Sequence, residues 1–120
     1  MPHMAKHPLF RSFGFAFKGL ALAVKERNFR LHLVSAALVV MAGLYCSVSA
    51  TEWMLLLICT GVVLSLELMN TALEKLCDLA SPGLHPLAGA AKDLAAAAVL
   101  VFSIVSAIVA AMIFIPYFFN

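Results

Sequence analysis

The sequence contains few charged residues. Asp, Glu, Lys and Arg make up 12% of its 120 residues, whereas soluble domains average about 25%. No charged side chain occurs between Arg30 and Glu52 or from Leu94 onward. Each of these stretches exceeds the roughly 20 residues that a helix needs to cross a bilayer. These absences exclude an ordinary soluble domain and indicate an integral membrane protein.

Common nucleotide and catalytic motifs are also missing. The chain has no GxxxxGK[ST] phosphate loop, no GxGxxG motif and no GxSxG motif, so any nucleotide would bind without the usual phosphate loop. The three cysteines, Cys46, Cys59 and Cys77, lack metal-ligand spacing. We expect them to pack as apolar side chains. Nucleic acid is not expected as a partner.

The hydrophobic pattern predicts an all-α membrane protein that forms a single domain over residues 1–120. Three transmembrane helices are expected, at about 30–48, 53–78 and 92–115. An amino-terminal amphipathic helix is expected at about 9–26, because its apolar residues share one helical face and its basic residues another. Such a helix lies in the membrane surface. It could be a simple electrostatic anchor, or it could also form one wall of an active site.

The basic residues predict the orientation of the spans. Six of the eight Lys and Arg residues precede the first span, and the other two, Lys75 and Lys92, flank the connection between the second and third spans. The loop at 47–52 and the segment after Ile115 contain none. By the positive-inside rule, the amino terminus and the loop at 79–91 are expected in the cytoplasm.

A polar stripe follows the apolar part of the second span. Its members are Glu67, Asn70, Glu74 and Asp78. Spacings of three, four and four residues place them on one face of a helix. A carboxylate inside a span costs at least about 2.5 kcal/mol, so it usually faces a protein interior or an aqueous cleft and marks a functional site.

Glu26, Lys92 and Asp93 are expected to reach the same cytoplasmic interface. Carboxylates there can hold Mg²⁺ and leave its other positions for phosphate and water, while a lysine can neutralise phosphate charge. A deeper carboxylate can accept the proton of an alcohol during phosphoryl transfer. Three alternatives remain, namely a stripe that only ties helices together, a cation or proton channel and a non-catalytic membrane scaffold.

Histidines offer one further candidate. His85 lies in the predicted cytoplasmic loop and is expected to be the one histidine near the other polar groups, although it could equally be a solvated loop residue. His32 lies near the start of the first span, and His3 and His7 are close to the amino terminus.

These residues resemble the small prokaryotic diacylglycerol kinase and undecaprenol kinase family. The matching runs are Glu67-x-x-Asn70-x-Ala72-x-Glu74-x-x-x-Asp78, His85-Pro86-Leu87-Ala88, Ala91-Lys92-Asp93, Phe17-Lys18-Gly19 and Glu26-Arg27-Asn28-Phe29-Arg30. The resemblance extends over about residues 9–116. It implies an ATP-dependent lipid kinase in the bacterial cytoplasmic membrane. It also implies a homotrimer whose active sites are shared between neighbouring subunits.

The resemblance implies a role for each site residue. Glu67 would match the catalytic base, and Glu26 and Glu74 the carboxylates that bind Mg²⁺. Other residues would match groups around the nucleotide and phosphate, namely Asn70, Asp78, Lys92, Asp93 and, in a loop over the nucleotide, His85. Phe15 stands where many members have Tyr, so a hydroxyl contact is lost. Arg11 lies near the family's amino-terminal basic contact.

The lipid acceptor would be undecaprenol or diacylglycerol. The His-Pro-Leu-Ala and Arg-Asn-Phe-Arg segments look more like the undecaprenol kinase branch. Composition does not separate the two acceptors, because both would meet apolar walls of Leu, Val and Ala.

Overall fold

A computed structural model describes residues 8–119 as four helices. They are α1 Leu9–Ala23, α2 Arg27–Cys46, α3 Ala50–Ala80 and α4 Pro86–Phe119. The last three are each long and apolar enough to cross a membrane. The described residues contain no strand. The prediction of an all-α membrane protein with three spans and a preceding short helix is therefore confirmed.

Most helix ends differ from the predicted limits by two to six residues. The first helix stops at Ala23 rather than near residue 26, and α4 begins at Pro86 rather than near residue 92. Charge-free stretches mark the part of a helix that lies in hydrocarbon, whereas the helix itself continues until its backbone pairing is interrupted. At the start of α4, the Leu87 N–H donates to His85 Nδ1 at 3.1 Å, and proline suits the first helical turn.

A tight turn joins α1 to α2 and holds Glu26 directly before the second helix. Glu26 has an extended backbone, with φ −86° and ψ 129°. The Arg30 guanidinium donates to the Val24 carbonyl at 2.9 Å. On either side of the turn, Ala23 and Phe29 are 2% and 3% exposed. The turn is thus packed against the rest of the protein, which fixes where Glu26 lies.

Helix α3 is the central helix and contacts each of the other three. Its buried residues recur at helical spacing and are Leu56, Cys59, Val63, Glu67 and Asn70. This buried face is apolar in its first half and polar in its second half. Cys59 packs within the apolar half, and the three cysteines are all free.

At the end of the protein that contains the α2–α3 connection, an apolar cluster forms around Val48, Leu56 and Ile113. Close by, Ser49 and Glu52 form a reciprocal capping box at the start of α3. The Tyr117 hydroxyl donates to Glu52 Oε1 at 2.6 Å and so joins the end of α4 to the start of α3. This end of the protein contains structural contacts, whereas the polar stripe lies at the opposite end of α3.

Candidate active site

A polar pocket lies between the α1–α2 turn and the second half of α3. Its volume is about 210 Å³, and it is lined by Glu26, Arg27, Asn28, Glu67, Thr71 and Glu74. The α3 residues are spaced by four and three positions, so they share one helical face. The turn before α2 supplies Glu26, and the first turn of α2 supplies Arg27 and Asn28. Three of the carboxylates singled out in the sequence therefore meet in one pocket of one chain.

Glu67 is the deepest charged group of this pocket. The residue is 3% exposed, and its Oε2 atom lies 3.5 Å from His32 Nε2. The expectation that His85 would be the one histidine near the polar groups was therefore wrong. His32 follows Asn28 by four residues and so shares the pocket's face of α2. That spacing is the signal in the sequence that could have identified it.

Asn70 is connected to the pocket by a hydrogen bond to Glu74. Its Nδ2 group donates to Glu74 Oε1 at 2.9 Å. Asn70 is 6% exposed, and its Oδ1 atom is buried with no hydrogen-bond partner among the described residues. Since Glu74 itself is exposed, the hydrogen bond fixes an otherwise mobile carboxylate from the protein interior.

A second pocket lies one to two turns further along, where α3 ends and α4 begins. Its volume is about 280 Å³, and its lining includes Asp78, His85 and Lys92. The Lys92 ammonium lies 2.5 Å from Asp78 Oδ1, and both side chains are partly exposed, at 40% and 66%. The structure thus brings three further predicted site residues together beside the first pocket.

Arg11, Phe15 and Asp93 line neither of these two pockets in the described chain. Arg11 and Asp93 are exposed. The Lys18 ammonium lies over the Phe15 ring, 5.8 Å from its centroid. The nucleotide-site roles of these three residues remain predictions that rest on the family resemblance.

Two less polar spaces adjoin the carboxylate pocket. A groove of about 510 Å³ runs between α1 and α3, and Thr71 lines both this groove and the polar pocket. A cavity of about 280 Å³ extends from His32 between α2, α3 and α4. The apolar walls of the groove, which reach the polar pocket at Thr71, suit a ligand with one long hydrocarbon part and one polar end.

The acidic groups fit a hard cation that keeps other ligands. Among the residues that the structure describes, no three or more His, Cys, Asp or Glu side chains are arranged to hold a metal ion by themselves. Glu26 and Glu74 nevertheless line one pocket. Mg²⁺ is usually held by one or two carboxylates, with phosphate and water in its other positions. The donor set therefore fits Mg²⁺ together with a phosphate ligand rather than a cage made of protein alone.

Residues 14–114 match the family described as "Prokaryotic diacylglycerol kinase". The chain belongs to this family. Among its relatives, the undecaprenol kinase of Bacillus subtilis (strain 168) is 44% identical over 108 residues, which cover 89% of this chain and 88% of the relative. The predicted membership of the prokaryotic diacylglycerol kinase family is therefore confirmed.

Two diacylglycerol kinases of the family are also similar to the chain. The one from Synechocystis sp. is 37% identical over 110 residues, covering 90% of this chain and 63% of that protein. The one from Escherichia coli (strain K12) is 34% identical over 101 residues, covering 83% of each chain. Relatives named for two different lipid alcohols thus each resemble most of this protein.

Proposed function

We propose that the protein transfers the γ-phosphoryl group of ATP to the hydroxyl of a lipid alcohol. Family membership supports a kinase acting on a membrane lipid. The observation that carries the proposal for this chain is the meeting of Glu26, Glu67 and Glu74 in one polar pocket, next to an apolar groove. A reaction between a soluble phosphate donor and a membrane alcohol needs a polar pocket for the donor and an apolar groove for the alcohol, and the two must meet.

Glu67 is the proposed general base. Its carboxylate would accept the proton of the lipid hydroxyl as that oxygen attacks the γ-phosphorus in line and ADP leaves. Its burial, with 3% of the residue exposed, keeps bulk water away from the hydroxyl. The proton moves to the carboxylate, and the phosphate ester forms on the lipid.

Glu26 and Glu74 are the proposed carboxylates for Mg²⁺, with Asn70 orienting Glu74. When bound, the ion would neutralise phosphate charge. The Lys92 ammonium, held by Asp78 at 2.5 Å, is placed to attract the phosphates of the nucleotide. His85, which lines the same pocket, would face the nucleotide there.

The apolar groove between α1 and α3 is the proposed site of the acceptor's hydrocarbon chain. Because Thr71 lines both spaces, a chain in the groove would bring its polar end to the carboxylates. We favour undecaprenol over diacylglycerol as the acceptor, since the relative named undecaprenol kinase is 44% identical and the Escherichia coli diacylglycerol kinase is 34% identical.

The protein is a multi-pass bacterial membrane protein, and we propose that it forms a homotrimer in the cytoplasmic membrane. The distribution of Lys and Arg supports an orientation with the amino terminus and the α3–α4 loop in the cytoplasm. No described side chain of the single chain falls below 2% exposure. Association with other copies would bury more of these side chains. The family resemblance is what supports active sites shared between subunits, which mixed oligomers test.

The proposal is tested with purified protein in detergent micelles, radiolabelled ATP and Mg²⁺, with undecaprenol and diacylglycerol offered separately. We expect labelled lipid phosphate with at least one acceptor and a higher kcat/KM with undecaprenol. Labelled lipid with diacylglycerol alone would overturn the choice of acceptor. No labelled product with either lipid, from protein verified as folded, would overturn the kinase proposal and favour the scaffold or channel alternatives.

A further inference from the structure

His32 contacts Glu67, and the proposed phosphoryl transfer gives this contact no role. The two side chains approach to 3.5 Å between Nε2 and Oε2, with 26% of the His32 side chain and 4% of the Glu67 side chain exposed. They come from different helices, because His32 lies in the second turn of α2 and Glu67 in the middle of α3. The contact therefore depends on how these helices pack.

A carboxylate as buried as Glu67 requires a compensating partner. The other charged groups that line its pocket are Arg27, Glu26 and Glu74, and the two glutamates repel it. On the opposite side of His32, α4 supplies Ser103, Ser106 and Ala107 to the adjoining cavity, none of which is charged. Within the described chain, His32 is the one side chain at ion-pairing distance from Glu67.

We propose that His32 is a positioning residue for Glu67. Its ring holds one carboxylate oxygen, which limits rotation of the side chain and keeps the base aimed at the polar pocket. Such orientation matters because a base must lie within hydrogen-bonding distance of the proton that it accepts. This inference rests on the proposed function, in which Glu67 is the base. The separation of 3.5 Å is longer than a good hydrogen bond, and such contacts often shorten once substrate is bound.

The contact predicts different outcomes for two substitutions. His32→Gln keeps an N–H donor at this position, whereas His32→Leu keeps comparable volume without a donor. We expect His32→Leu to lower kcat about tenfold to a hundredfold, by analogy with the range found when hydrogen-bonding partners of metal ligands are removed. The KM values for ATP and lipid should change little, and His32→Gln should recover most of kcat.

A double-mutant cycle separates this role from a general effect on packing. In the Glu67→Gln background, His32→Leu should cause no further loss, because a residue that acts through Glu67 has nothing left to position. Ser35→Ala provides a matched control, since Ser35 lines the same cavity as His32 and is expected to leave kcat unchanged. Thermal unfolding of each variant checks that the protein is folded.

The possible results distinguish the proposed role of Glu67 as base from the proposed positioning role of His32. If Glu67→Gln retains wild-type activity, the base assignment fails and the role of His32 fails with it. If Glu67→Gln is inactive but His32→Leu has wild-type kcat, only the positioning role is overturned. Losses that add fully in the double variant would also overturn it. If His32→Leu does not fold, His32→Gln and His32→Asn decide, and a Gln variant no more active than Asn counts against positioning.

Discussion

Asn70 donates a 2.9 Å hydrogen bond to Glu74, one helical turn later on α3. The donor belongs to the buried face of the helix, whereas the acceptor lies at its exposed edge. A flexible glutamate at a surface would otherwise sample several rotamers. The hydrogen bond therefore ties the Glu74 carboxylate to the ordered interior of the protein. It fixes the position of this carboxylate in the pocket in which we place the metal.

Asn70→Ala is expected to raise the Mg²⁺ concentration that gives half-maximal activity, because Glu74 loses its orienting donor. The change should have the same sign as in Glu74→Ala but be smaller, since Glu74 remains present. A Mg²⁺ titration of the initial rate measures both effects. An unchanged titration midpoint in Asn70→Ala would show that this hydrogen bond does not control the metal site.

Glu26→Ala and Glu74→Ala should each raise the Mg²⁺ requirement and lower the maximal rate, because each carboxylate supplies oxygen to a hard cation. Glu52→Gln is the control, since Glu52 lies at the opposite end of α3 and accepts a hydrogen bond from Tyr117. Its Mg²⁺ titration should match that of the wild type. If both pocket variants also match the wild type, these two residues do not bind the metal.

Glu67→Gln should lower the rate of lipid phosphorylation by about 10² to 10⁴, the usual contribution of a positioned general base. Assembly should be unaffected. A neutral amide is cheaper to bury than a carboxylate within a span, so the thermal unfolding temperature in detergent should be equal or higher. A nearly normal turnover would remove Glu67 from the role of base.

The sequence predicted the spans and the polar stripe because both follow from local periodicity. Glu67 and Asn70 are buried on one face of α3, as their spacing requires. Contacts between helices could not be derived in this way. The spacing of His32 from Asn28 places both on one face of α2, but the approach of His32 to Glu67 depends on how α2 packs on α3, which the spacing within one helix does not specify. The end of α1 at Ala23 was missed for a similar reason, since no Gly or Pro marks it.

Gly43→Ala is expected to destabilise the protein. A Cβ atom at Gly43 would lie 2.5 Å from the Trp53 ring, and the ring belongs to a packed cluster. Overpacking of this kind typically costs about 1 to 3 kcal/mol. Gly61→Ala is the matched control, because a Cβ there meets nothing within 4 Å. Thermal unfolding in detergent should show a lower midpoint for the first variant, and equal midpoints would contradict the tight contact.

Mixed oligomers can reveal how sites are divided between subunits. The family resemblance leads us to expect shared sites, with Glu67 from one chain and Glu26 from its neighbour, and co-assembled Glu67→Gln and Glu26→Ala subunits would then regain activity. In the structure, however, both glutamates line one pocket of a single chain. We therefore expect these mixtures to stay inactive, because no chain retains both groups.

Subunits carrying Glu67→Gln and Lys92→Ala should behave differently if a neighbour supplies the Asp78–Lys92 pocket. In randomly mixed cyclic trimers, about a quarter of the sites would combine an intact carboxylate pocket with an intact neighbouring Lys92. Recovery of about that fraction of wild-type activity, in oligomers verified to contain both chains, would support sharing between subunits. The position of the two pockets side by side in one chain predicts no recovery instead. Recovery in the Glu67→Gln and Glu26→Ala mixture instead would show that the carboxylates come from two chains. Inactivity of both mixtures would show that each chain builds its site alone.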